Sequence, residues 1–334
     1  MHSFIEVCAG GGGLSKGFID AGFQPLLINE IDKTACETLK KNHPHHRSRI
    51  VQGSMTELSL KGRSPDVLMG GVPCQAFSHA GERKGLEDPR GQLILEFNRL
   101  VNECRPKLLL VENVKGLVTH EKGKTLDSLT ELFSNGGLYE IQYKVLNAGN
   151  YGVPQKRERI IIVGTRSDLN LKYEFPSPVS EKVFLKDALK NVPPSEGERY
   201  SEDKKRVLEM VPPGGCWVDL PEEIQKAYMG KAFNSGGGRR GMARRLSMDE
   251  QCLTLTTSPA QKQTERCHPM ETRPLTVREY ARIQTFPDDY EFCGSMSKIY
   301  KQIGNAVPVT LAYHLAQSVK KTLEIAIDQS GQER

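Results

Sequence analysis

The residues best placed to do chemistry lie in Gly70-Gly71-Val72-Pro73-Cys74-Gln75-Ala76-Phe77-Ser78. They follow an apolar run, Asp66-Val67-Leu68-Met69, that reads as a buried strand. Two glycines end that strand and let the backbone turn sharply, and Pro73 then stiffens the approach to Cys74. A cysteine held rigidly at the C-terminal end of a parallel strand sits where open α/β sheets place their ligands. That is how a thiolate nucleophile is presented. The plainer reading is an inert buried cysteine, but a packing cysteine rarely needs a rigid, glycine-flanked turn. Glu112 is the second candidate. It ends another buried strand, Leu108-Leu109-Leu110-Val111, within Glu112-Asn113-Val114. The plainer readings of an acid at that strand end are a helix N-cap or a surface acid.

The elements that must position these residues alternate along the chain. Phe4 to Val7 reads as a strand, Cys8 to Gly13 as a glycine-rich turn, and Leu14 to Ile19 as the start of a helix. That unit opens a Rossmann-like sheet: glycines let a ligand touch the backbone, and the helix N-terminus adds a positive dipole. A second strand, Pro25 to Asn29, ends at Glu30, an acid placed to accept hydrogen bonds from a ribose or to cap the segment from Asp32. Strands are expected at Arg49 to Gln52, Ile141 to Leu146 and Arg159 to Gly164, and helices at Gln92 to Cys104 and Thr125 to Phe133. Such alternation predicts a mostly parallel sheet covered on both faces.

After about Phe175 the pattern breaks up. Prolines interrupt the chain, and Gly236 to Gly241 with Arg239, Arg240, Arg244 and Arg245 forms a basic, glycine-rich patch. Basic residues among glycines approach phosphates closely, though a charge run is most often a solvated face. Thr254 to Thr257 reads as strand-like. Order returns near Arg273: Thr276-Val277-Arg278-Glu279 is a capping box opening a helix, and a closing helix spans Val309 to Ile327. The expected domains are 1–175, an irregular 176–272, and a return to the first domain over 273–334.

The 334 residues are 37% hydrophobic and 26% charged, a soluble globular composition. A net charge of +5 permits a nucleic-acid partner without demanding one. The eight cysteines include no C-x-x-C pair, so neither a zinc ribbon nor a disulfide framework is expected, and no metal. No apolar run approaches membrane-spanning length, and the N-terminus lacks a signal-peptide pattern. The expectation is a cytoplasmic protein with no membrane partner.

Taken in order, these motifs resemble the cytosine-C5 DNA methyltransferases. The resemblance rests on the glycine turn, Pro73-Cys74-Gln75, Glu112-Asn113-Val114, Gln155-Lys156-Arg157-Glu158-Arg159, the Arg273 to Pro287 block and Gly304-Asn305-Ala306-Val307-Pro308. It covers the chain outside about Glu181 to Thr272. It implies a Rossmann-like α/β domain binding S-adenosylmethionine, which leaves as S-adenosylhomocysteine, and a small irregular target-recognition domain. It also implies a monomer acting on double-stranded DNA, with a cognate restriction endonuclease sharing the target.

By resemblance Cys74 is the nucleophile that adds to carbon 6 of cytosine, and Glu112 meets nitrogen 3. Glu112 must then hold or share a proton, so a raised pKa is expected. Arg159 matches the arginine that contacts the cytosine carbonyl, with Arg157 supporting the pocket; the plainer reading of both is a surface ion pair with Glu158. The segment Ser78 to Gly91 resembles a mobile catalytic loop in which Ser78 and Arg90 contact phosphate. Arg273 joins the four arginines of the basic patch as a DNA contact. The cofactor site implied is the turn Cys8, Ala9, Gly10, Gly12 and Gly13, with Glu30 and Ile31 at the second strand tip. Ser54 and Met55, Pro73, Leu93, and Asn305 with Ala306 complete it. Two positions depart from the family pattern: Cys8 stands where an aromatic ring is usual, and Ser54 near a usual aspartate.

A transfer-RNA methyltransferase of the same fold is the alternative, disfavoured by the long basic segment 181–272. A glycine-turn dehydrogenase or a catalytically dead binding protein is the third reading. It leaves Pro73-Cys74-Gln75 and Glu112-Asn113-Val114 without a role.

Overall fold

The computed structural model describes residues 1–73, 89–234 and 241–332. The strands in chain order are β1 (Ser3–Val7), β2 (Gln24–Glu30), β3 (Ile50–Gln52), β4 (Val67–Gly70), β5 (Leu108–Val114), β6 (Tyr139–Asn147), β7 (Gln155–Lys156), β8 (Glu158–Arg166) and β9 (Cys252–Leu253). The longer helices are α1 (Gly13–Asp20), α2 (Lys33–Asn42), α3 (Pro89–Cys104), α4 (Lys124–Ser134), α5 (Leu185–Ala188), α6 (Glu202–Glu209), α7 (Glu222–Met229), α8 (Val277–Ile283), α9 (Met296–Asn305) and α10 (Val309–Gln332). They divide into two compact units. One holds Met1–Asn147, Glu158–Val179 and Val307–Arg334, and the other Ala148–Arg157 and Ser180–Ala306.

The first unit is built on a sheet ordered β3-β2-β1-β4-β5-β8-β6. Alternation along β1 shows how its core forms. Ile5 and Val7 join Leu68, Leu109, Phe97, Leu100 and Phe133 in one apolar cluster beneath α3 and α4. Phe4 faces the other way, its ring 5.8 Å from that of Phe18 on α1. On that face α10 crosses α1 so closely that a Cβ on Gly17 would lie 2.5 Å from the Cβ of Ala312. Only glycine allows this approach.

The sheet is not parallel throughout. β1, β2, β3, β4 and β5 pair in parallel, but β8 runs antiparallel to both β5 and β6. The physical reason is the link from β6 to β8, Ala148–Arg157, which is too short for the crossover that a parallel neighbour requires.

The second unit is irregular, with short helices and the two-stranded pair β7-β9. Its apolar centre gathers Leu208, Val211, Leu220, Ala243 and Cys267, with Tyr200, Trp217 and Tyr228 around them. Two expectations are corrected here. Residues 254–257 are not strand; Leu255 N–H donates to Gln155 Oε1 at 2.9 Å and Thr256 N–H to the Tyr280 hydroxyl at 3.1 Å instead. Residues 273–306 cluster with the irregular unit, not with the sheet, and the chain rejoins the sheet unit only at Val307. The bonds from α8 to residue 256 explain why. The capping box at Thr276 and Glu279 forms as the spacing predicts. Among the described residues no helix is long and apolar enough to cross a membrane.

Candidate active site

The tips of β1, β2 and β3 are tied together at one edge of the sheet. Cys8 and Gly10 take left-handed backbone angles, φ 54 and 55, and Gly12 takes φ 84. Ala9 N–H donates to Asn29 O at 3.1 Å and Gly10 N–H to Glu30 Oε2 at 2.6 Å. The other oxygen of Glu30 accepts Asp32 N–H at 2.9 Å, so this buried carboxylate organises both turns. Gly53 N–H reaches Glu30 O at 3.0 Å, and the Asn29 amide donates to Gly53 O at 3.0 Å. The next residue, Ser54, caps its own short turn, accepting from Thr56 N–H at 3.2 Å. Ile31 projects from the β2 tip 67% exposed. Above Gly10 the space is open: a Cβ there would meet nothing within 4 Å. An acid, an exposed apolar side chain and a bare glycine backbone thus border one open space. The Cys8 thiol is pushed up to about 12, first by burial and then by Glu30 and Glu6, so it stays protonated and is no rival nucleophile.

The neighbouring strand ends carry the second group. Val72 is buried and Pro73 exposed, and the Asn113 amide donates to Val72 O at 2.8 Å, fastening the β4 exit to β5. Glu112 Oε2 would lie 3.4 Å from a Cβ on Gly71, so its carboxylate flanks the turn leading to Cys74. Arg159 Nε pairs with Glu112 Oε1 at 2.9 Å, a diagonal pair across the antiparallel β5-β8 ladder, in which Glu112 lies opposite Ile161 and Arg159 opposite Val114. Glu158 instead pairs with Lys115 at 2.9 Å on the surface, which removes the plainer reading of Arg159. Cys74, Ser78, Arg239 and Arg240 lie outside the described residues, as does the side chain of Arg90.

Several expected site residues have other occupations. Arg157 is 1% exposed and donates to Leu255 O at 3.2 Å and Gly304 O at 2.9 Å, inside the second unit; it is no surface ion pair with Glu158. Arg245, expected at phosphate, is 5% exposed and holds Leu208 O at 2.7 Å, Thr272 Oγ1 at 2.7 Å and His268 O at 3.3 Å. Arg273 is forked onto two carboxylates, Glu271 and Glu279, at 2.8–3.0 Å, which leaves little of its guanidinium for DNA. Arg244 is half-buried beside Glu250 at 3.6 Å. The Met55 and Leu93 side chains pack on the apolar core of the sheet unit. Asn305 is exposed at the end of α9, and Ala306 O accepts the Gln284 amide at 3.0 Å, both in the second unit. Sequence reasoning missed Glu6, Asn29 and Asn113. The available signal at Glu6 was an acid amid the apolar residues of a buried strand.

A seven-stranded sheet with one reversed strand, a glycine turn after β1 and an acid at the β2 tip defines a Rossmann-like nucleotide-cofactor enzyme. Residues 2–321 match the C-5 cytosine-specific DNA methylase family. The chain is 52% identical over 335 residues to the type II methyltransferase M.Eco47II of Escherichia coli, covering 97% of this chain and 80% of that one. It is 50% identical over 327 residues to the type II methyltransferase M.Sau96I of Staphylococcus aureus, covering 95% of this chain and 75% of that one. A crystal structure of a DNA modification methyltransferase encoded within an E. coli prophage superposes with a TM-score of 0.72 at 26% identity, over 97% of this chain and all of that one. The chain belongs to the C-5 cytosine-specific DNA methylase family, enzymes that methylate carbon 5 of cytosine in DNA.

Proposed function

We propose that this enzyme moves the methyl group of S-adenosylmethionine to carbon 5 of a cytosine flipped out of a specific duplex DNA sequence, with Cys74 as covalent catalyst. The observation that carries this reading is Glu112 against the Gly71 turn, paired at 2.9 Å with Arg159. Carbon 5 is a weak nucleophile in an aromatic ring. A thiolate from Cys74 adds to carbon 6, and the ring's 5,6 electron pair becomes available at carbon 5 while charge builds at nitrogen 3. Glu112 meets that nitrogen with a proton, and Arg159 faces the carbonyl oxygen. After methylation carbon 5 loses its proton to a base and the thiolate leaves, restoring the ring. Flipping costs a few kcal/mol of stacking, which a closed pocket repays with contacts to the base edge.

For the cofactor, the groups at hand are the Gly10 turn, Glu30 for ribose hydroxyls and Ile31 as an apolar surface for adenine. When bound, the sulfonium supplies an electrophilic methyl group. The names of the relatives support a type II restriction–modification setting, in which a cognate endonuclease shares the target. They weigh against the transfer-RNA alternative. Cytoplasmic residence and a monomer are parts of the same reading.

DNA carrying 5-fluorocytosine at the target tests it. Carbon 5 then has no removable proton, so wild type with S-adenosylmethionine should form a denaturation-resistant complex, and Cys74→Ser should form none. Near wild-type methylation by Cys74→Ser would refute the mechanism. Bisulfite sequencing of plasmid from expressing cells would read the target sequence.

A further inference from the structure

Between Glu37 and Glu57 the chain has no acidic residue, and Lys40, Lys41, His45, His46, Arg47 and Arg49 all fall in that stretch. The fold gathers them at one place. Lys40 and Lys41 lie in the last turn of α2, and the others in the short 3-10 segment Pro44–Arg49 that leads into β3. No residue of that segment is buried, and Lys41, His45 and Arg47 are exposed. Arg49 donates to Pro25 O, which fixes the segment beside the start of β2.

That position is the far end of the sheet from the candidate site. The site groups lie at the last residues of β1, β2, β4 and β5, which run in parallel, whereas Arg49 sits at the first residues of β2 and β3. From Pro25 to Glu30 is roughly 16 Å at about 3.3 Å per residue. These cations also differ from other basic residues of the sheet unit. Lys16 pairs with Asp20, Arg99 with Glu96 and Glu103, Lys107 with Asp66, and Arg166 with Asp168. Among the described residues Lys40, Arg47 and Arg49 have no such carboxylate partner. Like groups are held together instead: burial first, then Arg49 and His45, keep the His46 imidazole below its usual value. The plainer reading, cations complementing the negative end of α2, covers Lys40 and Lys41. It leaves Arg47, outside the helix, without a role. Clustered cations with no internal anion repel one another, and an external polyanion relieves that repulsion. The polyanion that this family's reaction supplies is DNA.

We propose that Lys40, Lys41 and Arg47 form an accessory surface that holds the phosphate backbone of a second stretch of duplex DNA, while the opposite end of the sheet holds the stretch being methylated. The surface takes any sequence, because it meets phosphates and not base edges. On a long DNA the enzyme stays attached through one stretch after it releases the other. The proposal rests on the duplex substrate read above and is independent of the cofactor and of Cys74.

A bridging assay on the intact protein tests this. A duplex carrying the target read by bisulfite sequencing is fixed to a surface, loaded with enzyme, washed, and exposed to a labelled duplex without the target. Wild type should retain the label. Raising salt from about 50 to 200 mM should lower retention roughly fortyfold, the loss that about three phosphate contacts give. Lys40→Gln, Lys41→Gln and Arg47→Gln combined should retain at least about tenfold less, yet methylate a short target duplex at the wild-type rate. Glutamine has nearly the helix propensity of lysine, so α2 should persist. Arg47→Gln alone, outside the helix, should give a smaller loss in the same direction. No retention by wild type, or equal retention by the triple variant, would overturn the proposal. Displacement of the label by poly-glutamate as readily as by unlabelled duplex would overturn DNA as the partner. Slower methylation of the short duplex by the triple variant would put these residues under the target itself and overturn it too. Wild type that neither loads on the fixed duplex nor methylates it would refute the function proposed above, and this proposal with it.

Discussion

Two arginines adjacent in sequence, Arg244 and Arg245, have different surroundings: one stands beside Glu250 with part of its side chain in solvent, the other is enclosed and bonded to Leu208, His268 and Thr272. At the residue scale the clearest expectation concerns Glu112. Glu112→Gln should bind DNA and cofactor yet lower kcat by roughly a hundredfold or more, the usual effect of removing an acid–base group. Equal kcat in stopped-time methylation assays would remove Glu112 from the chemistry. The places of Glu112 and Arg159 on buried strands were legible in the sequence because apolar runs adjoin each; their roles come from the resemblance alone. The places of Arg157, Arg245 and Arg273 were not. A guanidinium's role depends on which carbonyls and carboxylates fold around it, and those partners come from residues tens of positions away, such as Gly304 for Arg157.

At the scale of elements, alternation gave the strands and helices of the sheet unit, and the capping box at Thr276 gave the start of α8. The direction of β8 was not written in its own residues, Glu158–Arg166; it follows from the length of the link before it. The short helices α6 and α7 were also missed, since eight residues carry too little periodicity to stand out among prolines. Glycine also serves close approach away from turns. Gly304 is helical, and a Cβ there would lie 1.9 Å from Thr256 O. Gly304→Ala must push the 254–257 segment or α9 aside and also disturb the carbonyl that Arg157 holds. It should lower unfolding free energy by roughly 1–3 kcal/mol, the usual cost of overpacking. An unchanged denaturant midpoint would show that the two segments separate freely.

At the scale of the whole molecule, 46 basic against 41 acidic residues give a charge of +5, a modest electrostatic attraction for DNA. Arg245 and Arg273 are committed to internal partners and Arg244 is half-buried beside Glu250, so the test of phosphate binding falls on Arg239 and Arg240. Replacing both with alanine should reduce the slope of log affinity against log salt by about one unit for each phosphate no longer neutralised. Arg245→Ala should act on stability and leave that slope unchanged. Filter binding across a salt series separates the two, and an unaltered slope in the double variant would assign Arg239 and Arg240 to a solvated surface. The packing of α10 on α1 has a different kind of consequence. These helices come from opposite ends of the sequence, and Gly17 meets Ala312 only after almost the whole chain exists. A ribosome therefore releases β1 and α1 long before their cover, so Phe18 and its neighbours wait through synthesis of the entire irregular unit. The sheet unit, begun before the irregular unit, closes only after it.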